Sequence, residues 1–183
     1  MRSIDLFFYI KYMALILPVL DKTPQYGENC WFAPNATLVG DIVMGKDCTV
    51  WFNAVVRGDV NSIIMGDRVN IQDGAVVHCT YKKTQTIIGN NVSIAHNAIV
   101  HGCVIEDEVL IGMGAIVMDG AVIGKNAIIG AGAIVTQNTK VPPGTVWAGN
   151  PAKKIKDVSP ELGEVFLRTA NNYVMYSEWF KEK

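Results

Sequence analysis

Large apolar residues recur along this chain every six positions. Phe32, Leu38, Met44, Val50 and Val56 hold one register, and Ile105, Ile111, Val117, Ile123, Ile129, Val135, Val141 and Trp147 hold a longer one. Shorter runs lie between them: Met65, Ile71 and Val77, then Ile88, Ile94 and Val100. Four residues after the large position the side chain is usually small, as at Ala36, Cys48, Ala54, Ala75, Ala98 and Ala115. A helix repeats at 3.6 residues and a simple strand at 2, so a period of six fits neither alone. It fits a short strand, a turn and another short strand, with one large side chain pointing inward per unit.

Three such units close a triangular coil of 18 residues, and successive coils stack at the strand spacing of roughly 4.8 Å. The fold this predicts is mainly β, a left-handed parallel β-helix of the hexapeptide-repeat kind, over residues 13–157. Each coil packs only on its neighbours, so the solenoid needs many coils and capped ends. The pattern changes after Pro151. Ser159-Pro160-Glu161 is a helix start, with Ser as N-cap, Pro in the first turn and an acid beside it. Leu162, Val165, Phe166, Tyr173, Tyr176 and Phe180 then give an apolar face at helical spacing, which predicts a C-terminal helix over 158–183 packed on the solenoid. Two places break the repeat. Tyr81–Thr86 fits no unit and reads as a loop leaving a corner, and the unit Ile99–Cys103 has five residues in place of six.

Composition narrows the function. The chain has 183 residues, half of them apolar, and a net charge of −1, enough for one domain with a sizeable core. No basic stripe is present, which argues against nucleic acid as a partner. Lys153, Lys154 and Lys156 read as a solvated turn. The four cysteines, at 30, 48, 79 and 103, form no Cys-x-x-Cys pair and read as small buried residues in a reducing, cytoplasmic setting. Cys30 and Cys48 lie one coil apart and are expected to stack in the core. The first 20 residues are apolar, but Asp5, Lys11 and Pro18 interrupt them, so neither a membrane span nor a signal peptide is expected. Met13 offers an alternative start, which would make residues 1–12 an upstream extension.

The chain contains three histidines, and all fall within 24 residues, at 78, 96 and 101. Neutral imidazole is the commonest metal ligand, and three histidines with one open position are the ligand set of a catalytic zinc site. Both interruptions of the repeat lie beside these histidines, as expected where sequence serves a site and not the scaffold.

The strings Trp51-Phe-Asn-Ala-Val-Val-Arg57-Gly-Asp59, Asn70-Ile-Gln72-Asp73-Gly-Ala-Val-Val-His78 and His96-Asn-Ala-Ile-Val-His101-Gly-Cys, in this order, resemble the γ-class carbonic anhydrases. The resemblance covers nearly everything from Met13 to the C-terminal helix. It implies a homotrimer that hydrates CO2 to bicarbonate, with metal at the subunit interfaces. His78 and His101 would come from one subunit and His96 from its neighbour. Zinc is the implied metal, with iron(II) or cobalt(II) accepted by the same imidazoles. Such a metal lowers the pKa of its bound water to ~7, and metal-bound hydroxide is the implied nucleophile. Gln72 matches a residue that orients that water. Arg57, Asp59 and Asp73 match a charged interface cluster that holds the trimer together and positions bicarbonate, and Tyr173 matches a tyrosine near the site. The chain departs from the family's archetype where Val60 replaces a glutamate and where the loop after His78 carries Lys82 and Lys83 and no acid. Those acids are implicated in proton removal, which needs an acceptor within reach. Three alternatives stay open: an acetyl-CoA-dependent hexapeptide acyltransferase with one histidine as base, a CoA-thioesterase, and a non-catalytic metal-binding trimer serving as an assembly module.

Overall fold

A computed structural model describes residues 13–181, and the extension expected over residues 1–12 lies outside them. The chain winds into a left-handed parallel β-solenoid with three faces, and one α-helix follows it. On the first face Val55 pairs with Val76, Val76 with Ile99, Ile99 with Ile116 and Ile116 with Ile134. On the second, Met65, Ile88, Ile105, Ile123 and Val141 stack in turn. On the third the column runs from Phe32 through Val50, Ile71, Ile94, Ile111 and Ile129 to Trp147. Thr37–Met44 and Val55–Met65 turn the corner between the first two faces without a break, so those faces form one 12-stranded sheet beside a separate 8-stranded sheet.

The hexad positions are the core. Leu38, Val50, Val56, Ile71, Val77, Ile94, Val100, Ile111, Val117, Ile123 and Ile129 are fully buried, as are the small residues Ala36, Ala54, Ala75, Ala98, Ala115, Ala121, Ala127 and Ala133. Phe32 and Trp147, at the two ends of the third column, are half-buried. Large and small residues alternate because the triangular section is narrow: one branched side chain fills each face and only a methyl or thiol fits at the corner. Cys48, Cys79 and Cys103 are buried, Cys30 is half-buried, and all four are free thiols.

Stacked partners lie 18 residues apart in the regular coils (Ile105 under Ile123), but 21 from Val50 to Ile71, 23 from Ile71 to Ile94 and 17 from Ile94 to Ile111. Every departure falls at one corner, between the first and second faces: Val56 to Met65, Val77 to Ile88 and Val100 to Ile105. The loop at this corner is shorter than expected, because Thr86 belongs to the strand Thr86–Ile88 and is fully buried. Its hydroxyl donates to the His78 carbonyl at 2.5 Å, which draws it out of the loop. The other corners turn through left-handed residues, among them Asn53 and Asn97. At Gly74, with φ +69°, a Cβ would stand 2.3 Å from Asn97 Oδ1.

At one end of the solenoid Leu15–Leu17 pairs with Thr37–Val39. At the other, Thr145–Ala148 pairs antiparallel with Lys153–Asp157. The three lysines expected in a solvated turn therefore sit on an exposed edge strand, where charge discourages further pairing. The helix α1, Pro160–Glu178, starts at Ser159, whose hydroxyl accepts from the Leu162 N–H. Nineteen residues at 1.5 Å each give about 28 Å. Seven stacked strands span about 29 Å, so α1 can run the length of the third face. Phe166 and Ala170 are buried under it. Near its end Tyr173 and Phe180 join Trp31, Trp51 and Phe52 in an aromatic cluster, with ring centroids 4.8–6.4 Å apart. Among the described residues no helix is long and apolar enough to cross a membrane.

Candidate functional site

His78 ends the strand Val76–His78 and His101 ends its neighbour Ile99–His101, with the two histidines in register. Val77 and Val100 point into the core, so period two sends both imidazoles outward on the same side. His78 Nδ1 and His101 Nε2 face each other at 3.1 Å. Each outer nitrogen meets a carboxylate: His78 Nε2 lies 3.0 Å from Asp59 Oδ1, and His101 Nδ1 lies 2.9 Å from Asp119 Oδ2. Arg57 Nη1 donates to the other Asp59 oxygen at 2.5 Å. Thr80 and Thr84 donate to the other Asp119 oxygen at 2.8 and 2.7 Å. Burial pushes both carboxyls up, but the hydrogen bonds from His78 and Arg57 hold Asp59 below the usual carboxylate range. Those from Thr84, Thr80 and His101 do the same for Asp119.

An ionised carboxylate only accepts, so each outer nitrogen carries the imidazole proton. With both rings neutral, the two inner nitrogens present lone pairs to each other across 3.1 Å. That contact repels unless a cation or a shared proton lies against it. Two nitrogens bound about 2.05 Å from one tetrahedral ion stand about 3.3 Å apart, close to the observed spacing. Carboxylates behind metal-binding histidines are the usual device for fixing tautomer and ring orientation. The pair therefore fits as two ligands of one divalent ion.

His96 lies elsewhere, at the corner between the third face and the first. Its Nδ1 is 2.9 Å from Asp73 Oδ2, and both side chains are about two-fifths exposed. Gln72 is buried and donates from Nε2 to Asn70 Oδ1 at 2.9 Å, while Asn70 donates to Ser93 Oγ at 2.8 Å. Tyr173 on α1 packs edge-on against Trp51 at 5.2 Å. Burial, and then the negative charge of Asp73, push its phenol up to about 12, so it stays protonated.

The residues singled out from sequence thus fall into two groups. Arg57, Asp59, His78 and His101 sit at one edge of the first face. Gln72, Asp73, His96 and Tyr173 sit at the other. The chain turns at Asn97 and runs extended only from Ile99 to His101, so His96 stands at the corner before that strand and His101 at its far end. Among the described residues of one chain, no group of three or more His, Cys, Asp or Glu side chains is gathered so as to hold a metal ion. Val60 is half-buried against the core, and Lys82 and Lys83 are exposed at the loop tip. Sequence reasoning missed Asp119, Thr80 and Thr84. Asp119 follows His101 by 18 residues, one coil, and counting coils onward from the histidine would have found it.

The model of the bacterial transferase hexapeptide family (six repeats) matches residues 102–137. Gamma carbonic anhydrase 2, mitochondrial, of Arabidopsis thaliana is 41% identical over 164 residues, covering 87% of this chain and 59% of the plant protein. This chain thus spans about three-fifths of the length of that relative. A Methanocaldococcus jannaschii protein named "probable carbonic anhydrase" is 53% identical over 151 residues, 82% of this chain and 94% of its own. The crystal structure of a hexapeptide transferase family protein from Anaplasma phagocytophilum superposes with a TM-score of 0.87 at 35% identity, over 91% of this chain and 98% of that one. Carbonic anhydrase and transferase names both occur among these relatives.

Proposed function

The chain belongs to the hexapeptide-repeat, left-handed β-helix superfamily, and on that premise we propose that it is a metal-dependent hydratase interconverting CO2 and bicarbonate. The observation that carries this reading is the His78–His101 pair, with nitrogens 3.1 Å apart and each ring held from behind by a carboxylate. An acyltransferase base needs one such histidine, not two facing each other. The third ligand in this reading is His96 of an adjoining subunit, itself held by Asp73, in a homotrimer. Zinc, iron(II) or cobalt(II), when bound, would supply Lewis-acid activation of water for attack on CO2.

The protein's own groups divide the remaining work. Asp59, Asp73 and Asp119 keep the proton on the outer nitrogen of each histidine. Gln72, anchored by the Asn70–Ser93 chain, is the group that orients the attacking water. Arg57 is tied to Asp59 yet about two-fifths exposed, so its free N–H groups can receive bicarbonate. Tyr173 remains a hydrogen-bond donor at neutral pH. Val60 and the basic loop tip supply no carboxylate for proton export, which hands that step to solution buffer. The test is metal content per subunit together with CO2 hydration on one anaerobically purified sample. About one metal per subunit with hydration that rises with buffer concentration supports the proposal. Metal without hydration rejects CO2 as the substrate and leaves thioester hydrolysis or an assembly role.

A second reading is favoured by the His96–Asp73 dyad and the transferase names. An exposed imidazole oriented by one carboxylate is a general base in waiting. In that reading His96 deprotonates an acceptor for acyl transfer from acetyl-CoA, without metal. Absence of metal after reconstitution, with acyl transfer lost in His96→Ala and kept in His101→Ala, would select it.

A further inference from the structure

The loop between Cys79 and Gln85 lacks the acids that would move protons, but it carries two threonines whose hydroxyls converge on one atom. Thr80 Oγ1 and Thr84 Oγ1 both donate to Asp119 Oδ1, at 2.8 and 2.7 Å. Thr84 Oγ1 also accepts the Thr80 backbone N–H at 3.1 Å, which leaves its own proton for Asp119. The carboxylate is therefore filled on one oxygen and free on the other, and that other oxygen faces His101 Nδ1 at 2.9 Å. We propose that Asp119, clamped by Thr80 and Thr84, is a positioning residue that fixes the tautomer and aim of His101 as a metal ligand.

This inference rests on the metal reading above and assigns that site a support reaching in from the loop. A neutral imidazole places its proton on either nitrogen, and a proton on Nε2 removes the lone pair that faces His78. Asp119 accepts from Nδ1 and so keeps Nε2 open. An unclamped aspartate at a corner is free to rotate away, and the two hydroxyls prevent this. The backbone is shaped for the same contact. Gly102, directly after His101, has φ +55°, and a Cβ there would stand 2.2 Å from both Asp119 Oδ1 and Thr84 Oγ1. Only glycine lets loop and carboxylate meet. The segments flanking this contact are also tied back to the other histidine, whose carbonyl accepts from Thr86 Oγ1, just after the loop, at 2.5 Å and from the Gly102 N–H at 3.1 Å.

The experiment titrates cobalt(II) into metal-free wild-type protein and into two double variants, Thr80→Val/Thr84→Val and Thr80→Ser/Thr84→Ser, recording visible absorption. Valine keeps the shape of threonine and loses the hydroxyl, whereas serine keeps the hydroxyl. The valine variant is expected to bind cobalt about 10–100-fold more weakly, with displaced absorption bands, and the serine variant to restore both. Unchanged affinity and bands in the valine variant would overturn the inference while leaving the metal site standing. If wild type itself takes no cobalt, the metal reading falls and takes this inference with it. Should the valine variant fail to fold, Asp119→Asn replaces it, with the same expected loss and the same overturning result.

Discussion

An imidazole binds a metal with one nitrogen, and the group on the other nitrogen decides which one that is. Here each of the three histidines has its own aspartate: Asp59 for His78, Asp73 for His96 and Asp119 for His101. Replacing Asp59 by asparagine exchanges an obligate acceptor for a group that also donates. Metal affinity is expected to fall about 10–100-fold with little loss of fold, read by metal titration beside circular dichroism. The thiols follow a similar logic of surroundings. Burial pushes Cys103 up to about 12, while the neighbouring Cys48 thiol holds half-buried Cys30 below its ordinary value. Alkylation of the native protein at pH 8 should label Cys30 first and leave Cys103 untouched until unfolding, as peptide mapping would show. The histidines were legible in sequence by their rarity and spacing. Asp119 was not, because an aspartate in a Met-Asp-Gly corner looks like any turn residue until its coil is stacked on His101.

At the scale of the elements, the buried apolar side chains of the solenoid stack in columns. Ile123 is fully buried, and Ile123→Ala is expected to cost about 2–5 kcal/mol. Loss of the Ser159 cap in Ser159→Ala should cost about 1 kcal/mol, since it frees only one N–H at the start of α1. Denaturant unfolding of the two variants would rank them, and a larger loss at Ser159 would contradict this picture. The solenoid could be read from sequence because every unit repeats the same demand for one branched and one small side chain. Most of its strands have only two or three residues and are far too short to be found by alternation alone. The terminal strand Lys153–Asp157 escaped because its residues are all exposed and carry no inward position to count. Thr86 escaped because a polar residue is buried there to satisfy a backbone carbonyl.

For the molecule as a whole, the two histidine groups lie on opposite edges of one face, so neither edge alone completes the proposed three-histidine set. Joining one edge to the other edge of a second copy is a heterologous contact, and such contacts close into rings when the rotation allows. Val55, Val76, Ile99, Ile116 and Ile134 run between the edges, all at least partly exposed. Ile99→Lys is expected to yield monomers and, with them, loss of metal, checked by light scattering and metal analysis. Retention of metal by the monomer would sink the shared site. Mixing His96→Ala with His78→Ala subunits should restore metal to a fraction of sites, because a mixed ring contains interfaces with all three ligands intact. No recovery in verified mixed rings would count against the same idea.

All the irregular coil lengths fall at a single corner, and that corner is where His78 and His101 end their strands. Two corners of the prism set a fixed metronome for the core, and the third is free to run long or short. A segment inserted there projects outward and changes no core layer, so its length and chemistry can be rewritten beside the histidines without retuning the scaffold. A Gly-Ser insertion between Lys82 and Lys83 should leave the melting temperature nearly unmoved, whereas the same insertion after Asn126 should throw a whole column out of step. The fold thereby separates what must stay regular from what is free to diversify, and sets the His78–His101 pair on the free side.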